Sequence, residues 1–180
     1  MKRIIITLAA GLLASAAQAA PVRDAATGLT VDPPAGYVAR AEAPDQQHAA
    51  RLSVKRATDT DGGCQLAFAP TAANARFSQQ QINTMISSPA WQEAAKAALA
   101  PVYEVTDLRV SEIGALRGME LQADFKPRRE LPPRTQQLRS YFAIMETPRG
   151  RTTLVCVTER SDFTARLVEF NNIARATTPP

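Results

Sequence analysis

Residues 137–159 constrain the fold of this chain more than any other stretch. Gln137 to Glu146 and Arg151 to Glu159 are two runs rich in Tyr141, Phe142, Ile144, Thr152, Thr153, Leu154, Val155 and Val157, joined by Thr147-Pro148-Arg149-Gly150. Such residues suit a pleated, half-buried surface, while Pro and Gly punctuate the turn. The stretch reads as the middle of a sheet. A helix is expected to follow from Ser161 or Asp162, with Phe163, Leu167, Phe170 and Ala174 along one side. Cys156, one of two cysteines in the chain, lies inside the second strand.

The N-terminus places the chain in a compartment. Lys2 and Arg3 precede an apolar run, Ile4 to Ala17, that ends in Ala17-Gln18-Ala19. A positive start, a short apolar segment and an A-x-A site describe a secretory signal peptide. The run is shorter than the about 20 residues a membrane helix needs. Cleavage is expected after Ala19, with Ala20 as the alternative, giving a periplasmic or secreted protein with no transmembrane segment in its mature part. No cysteine follows that site to carry a lipid. In an oxidising compartment paired thiols are the default, so Cys64 and Cys156 are expected to form a disulfide. No C-x-x-C is present to suggest a redox pair.

Removing residues 1–19 leaves 19 basic residues against 17 acidic ones, a formal +2. Nucleic-acid binding needs a concentrated basic face, which so small an excess does not supply. Residues 20–27 read as an exposed lead-in, 28–176 as a single domain and 177–180 as a frayed tail.

Within that domain, Leu29-Thr30-Val31 alternates like a short strand and is stopped by Asp32-Pro33-Pro34. After a polar loop around Pro44 to Gln47, Arg51 to Ala57 and Cys64 to Ala69 form a hairpin, with Leu52, Val54, Leu66 and Phe68 inward. Ser78 and Gln81 make a capping box, with Phe77 and Ile82 as its hydrophobic staple. Ser88 caps a second helix, Pro89 to Leu99, whose buried stripe is Trp91, Ala95 and Leu99. Tyr103 to Ile113 is a strand of mixed period. In Gly118 to Lys126, Met119, Leu121, Ala123 and Phe125 alternate with Glu120, Gln122, Asp124 and Lys126, which predicts one core face and one wet face. Strands in runs, with helices between and after them, argue for an α+β fold with a central antiparallel sheet.

This order resembles a known family. A short strand ending in Pro34, Gly36 and Tyr37, then a hairpin and a helix, a strand from Gly118 to Phe125, a strand pair turning on Pro148 and Gly150, and a last helix opening with Asp162-Phe163 are similar to the PsbP-like superfamily. Its members include photosystem subunits, Ran-binding Mog-type proteins and bacterial periplasmic proteins of the DcrB type. The resemblance implies an α/β/α sandwich, a role in binding or assembly, and neither catalysis nor a cofactor.

The chemistry-bearing residues agree with a binding role. His48 is the only histidine and sits in a Pro- and Gln-rich stretch, so a Ser-His or Cys-His scheme has one thin route. With the cysteines paired, no zinc site of His and Cys ligands can be assembled. Asp59 and Asp61 open no calcium loop, because Cys64 and Pro70 stand where Gly and Glu are required. Lys126, Arg128, Arg129 and Arg134, with Arg139 just beyond, form a proline-rich basic loop suited to gripping carboxylate or phosphate. It is the candidate contact for a protein or anionic component of the bacterial envelope. Two other classes stay open: a carrier for a small apolar ligand held between the sheet and the Ser78 to Leu99 helices, and a small hydrolase using paired carboxylates.

Overall fold

The computed structural model describes residues 20–60 and 62–180. The predicted signal segment and Asp61 lie outside the described residues. The described chain runs through β1 (Val22–Arg23), β2 (Thr30–Val31), β3 (Tyr37–Glu42), β4 (Ala50–Arg56), β5 (Gly63–Pro70), α1 (Gln79–Ile86), α2 (Pro89–Leu99), β6 (Tyr103–Ile113), β7 (Leu116–Phe125), β8 (Leu138–Thr147), β9 (Gly150–Glu159), α3 (Phe163–Arg175) and β10 (Thr177–Thr178).

Seven strands make one antiparallel sheet in the order β3-β4-β5-β9-β8-β7-β6. Two meanders, β3 to β5 and β6 to β9, are therefore joined only where β5 pairs with β9. In that ladder Cys64 stands opposite Cys156, with the two Cα atoms 4.0 Å apart, and the two sulfurs are bonded. The strand pair read first from the sequence is β8–β9, turning through Pro148 and Arg149, with Phe142 opposite Val155. Gly150 closes this turn at φ 150°, and a Cβ there would press on the backbone of Ala69 to Thr71.

Helices cover both faces of the sheet. On one, Ile82 and Ile86 of α1 pack with Met119, Leu121, Ala123 and Phe142, and α2 lies beside them. Ser78 caps α1 through the expected box: the Gln81 amide N–H donates to Ser78 Oγ and the Ser78 N–H to Gln81 Oε1. On the other face, Phe163, Phe170 and Ile173 of α3 meet Tyr141, Leu154, Cys156, Leu66 and Leu52. A sheet buried on both sides explains why the second face of β7 is not wet. Glu120 and Asp124 point toward the α3 side and are buried, each neutralised by arginine. The mixed period of β6 has a local cause, a bulge at Thr106 that shifts the register between Val105 and Asp107.

Both ends of the domain are tied down. The lead-in contains β1, which pairs with β2, and the tail contains β10, which pairs with the other edge of β2. Thr147 donates from its hydroxyl to the Pro180 carbonyl at 3.0 Å. Leu29 and Val31, fully buried, give this small sheet its anchor in the α3-side core. The segment after Gly36 is a strand too. β3 pairs along its whole length with β4, turning Tyr37 and Ala39 inward and leaving Val38 half exposed.

Candidate functional site

α1 and α2 cover the sheet over β6 to β8 and stop short of β9. Along α2, Ser88 Oγ accepts from the Trp91 amide and Pro89 occupies the first turn, as the sequence predicts. The stripe of Trp91, Ala95 and Leu99 does face the sheet, but none of its side chains is fully buried. Beside that stripe the helix presents only small side chains, with Ala94 and Ala98 exposed along the space between its flank and the strands. The result is an open groove of about 290 Å³, with Trp91 and Leu99 in one wall and Met119, Phe142 and Ile144 as its floor.

β9 supplies the polar rim. Thr153 stands opposite Ile144 and Arg151 opposite Glu146, and both line the groove. The Glu146 carboxylate is buried; it accepts from Asn74 Nδ2 at 2.8 Å and from Arg151 Nε. Gln79 Nε2, in the first turn of α1, donates to the Glu146 carbonyl at 3.0 Å. Arg151 is thus fixed through Nε, while its side chain stays 47% exposed and its two terminal nitrogens have no partner among the described residues. Arg151, Glu146, Ala94 and Ala98 did not stand out in the sequence. For Arg151 a signal was present in the outward row of β9, Arg151-Thr153-Val155-Val157, opposite in phase to the inward row that carries Cys156.

Carboxylates collect on the other face and are gripped individually. Asp124 is held below the usual carboxylate range by two bonds from Arg139, 2.8 and 2.9 Å, with Arg160 adding its charge. Burial pushes Glu120 and Asp59 upward, but their donors outweigh it: Ser111 and Arg109 for Glu120, Arg166 and the Arg56 amide for Asp59. All three end below their ordinary values, which is opposite to what a general acid requires. Burial, with Glu120 beside it, pushes the Tyr141 hydroxyl up, and that hydroxyl donates to Asn171 Oδ1 at 3.2 Å.

These lowered carboxylates set an acid limit on stability. A group depressed in the folded state stabilises it fully above the unfolded pKa, and the contribution is lost as pH falls through the folded value. The urea midpoint should therefore owe no slope to these groups between neutrality and about pH 5, then fall below about pH 4. Asp124→Asn should have a lower midpoint at neutrality and a shallower acid fall than the wild type. Equal slopes in the two proteins would contradict the assignment.

The basic loop is folded onto the body of the protein. Lys126 Nζ donates to the Ala100 carbonyl at 2.8 Å and Arg128 Nη1 to the Pro101 carbonyl at 2.7 Å, both at the corner between α2 and β6. Arg134 pairs with Glu159 and Arg139 with Asp124. Arg129 is exposed and makes no hydrogen bond or ion pair among the described residues. His48 lies in a surface turn, where Asp45 Oδ1 accepts from its amide at 2.8 Å. Asp59 anchors the buried side chain of Arg166.

No described helix is long and apolar enough to cross a membrane. No protein-family model matches the sequence, and no curated protein matches it. The structure does have a solved counterpart, the solution structure of cyanobacterial PsbP (CyanoP) from Synechocystis sp. PCC 6803. The two superpose with a TM-score of 0.59 over 96% of this chain and 98% of that one, at 8% sequence identity. At that identity the likeness is one of fold, and this chain has the PsbP-like fold.

Proposed function

We propose that this chain is an exported, non-enzymatic binding protein of the bacterial envelope, and that the groove beside α2 seats its ligand. The observation that carries the reading is the groove itself. It is concave, apolar in floor and wall, and has one open cation on its rim, which is the ordinary make-up of a ligand site. Its floor belongs to a sheet packed on both faces and stapled by sulfur, so the site needs no ordering before it binds. The leader and a buried disulfide support export. Support for a non-enzymatic role comes from the carboxylates, which arginines keep ionised, and from the lone histidine in its surface turn. We assign the basic loop a bracing role at the corner that positions α2, since Lys126 and Arg128 are engaged there while Arg134 and Arg139 are held by Glu159 and Asp124.

A photo-crosslinking side chain at Ala98, on the groove, should capture adducts in intact cells. The same group at Val168, which is 66% exposed on α3 at the opposite face, should not. Equal capture at both positions, or none at Ala98, would overturn the reading.

A further inference from the structure

The groove has the dimensions and polarity of one short aliphatic chain, and we infer that its ligand is a single-chain carboxylate with its apolar tail against Phe142 and Ile144 and its head on Arg151. The inference rests on the groove being the binding site and adds the chemistry of the occupant. Three observations carry it. The volume, about 290 Å³, falls at the lower limit of ligand pockets, roughly 300–1,000 Å³, which suits one chain and excludes a two-tailed lipid. The floor and the α2 wall are apolar, from Trp91 and Leu99 to Phe142 and Ile144, which suits a hydrocarbon tail. Among the lining side chains Arg151 is the only charged one.

The head preference follows from how Arg151 is held. Glu146 occupies Nε and fixes the plane of the guanidinium, leaving the two terminal nitrogens as an open fork at the rim. A fork of two N–H groups matches the two oxygens of a carboxylate. Thr153 lies on the neighbouring outward position of the same strand and lines the same groove. Glu146 also balances the charge, so an empty groove leaves no isolated cation.

Trp91 is the single tryptophan of the chain and lies in the groove wall, which makes its emission a direct reporter. Titration of the mature protein with decanoate, below its micelle concentration, should give a saturable blue shift. The neutral alcohol of the same chain length, decanol, should bind about tenfold more weakly, the value of charge-assisted hydrogen bonds to the head. Ala98→Phe, a change at an exposed helix position, should abolish both responses. Arg151→Lys, which keeps the charge beside Glu146 and loses the fork, should narrow the decanoate preference. No saturable shift, or decanol binding as tightly as decanoate, would overturn the inference. If either result accompanies persistent protein adducts at Ala98, the acyl ligand is wrong and the groove stands; if the adducts are absent as well, both fall.

Discussion

Arg166→Met should cost the fold about 3–5 kcal/mol, the penalty for breaking a buried ion pair from one side. Arg166 lies on α3 and is only 10% exposed; its guanidinium donates to both oxygens of Asp59, at 2.8 and 3.1 Å, and to the Tyr37 hydroxyl at 2.9 Å. It also stacks over the ring of Phe170, 5.1 Å from the centroid. Through these contacts one side chain joins the last helix to β3 and to the β4–β5 loop. Methionine restores the apolar stem but leaves the Asp59 carboxylate, 5% exposed, without its main counter-charge. Since a domain of this kind is stable by about 5–15 kcal/mol in all, the loss is a large fraction. Removing both charges together, as Arg166→Met with Asp59→Leu, should recover most of it, because the isolated charge is what costs. Urea midpoints at neutral pH measure both. A single variant within about 1 kcal/mol of wild type would mean the pair is solvated in practice.

The Arg166 network also shows where sequence reading ends. Local chemistry was legible: the capping box at Ser78, the cap at Ser88, and the strand-favouring composition and Pro-Gly turn of β8 and β9 are set by neighbours a few residues apart, and the structure reproduces them. What stayed hidden depends on pairing across the chain. β3 is hard to see in the sequence because its one buried side chain after Tyr37 is Ala39, a weak strand former that becomes buried only when β4 pairs beside it. Glu120 and Asp124 read as a wet face because alternation cannot tell a sheet with one covered side from a sheet with two. Arg166 does not stand out in the sequence because its partners are Asp59 and Tyr37, more than a hundred positions away. The basic loop stood out by composition, yet composition does not reveal that Ala100 and Pro101 offer carbonyls to its cations. The groove was anticipated only as a layer, between sheet and helices. Its existence depends on how far α2 extends across β8 and β9, a matter of packing between elements.

Removing the disulfide, by Cys64→Ala with Cys156→Ala, should lower stability by about 2–5 kcal/mol while leaving the sheet intact. The size follows from topology. The bonded residues are 92 positions apart, and in the unfolded chain the bond closes a loop that includes α1, α2 and most of the β6 to β9 meander. Its place matters as much as its length, because β5–β9 is the one ladder that joins the two meanders, and the sulfurs sit at a directly opposed pair within it. Without the bond that ladder retains its backbone hydrogen bonds but must be closed by a long, costly search. Amide exchange in β3, β4 and β5 should therefore accelerate more than in β7 and β8, as the first meander gains freedom to open by itself. Cavities left by Cys→Ala contribute to the loss, since both residues are within 1% of full burial, so wild-type protein unfolded, reduced and refolded without oxidant gives the control free of them. Native protein should resist reductant until denaturant opens the core. Thiols appearing in the folded protein, or equal midpoints for the oxidised and reduced forms, would show that the two meanders hold together without the bond.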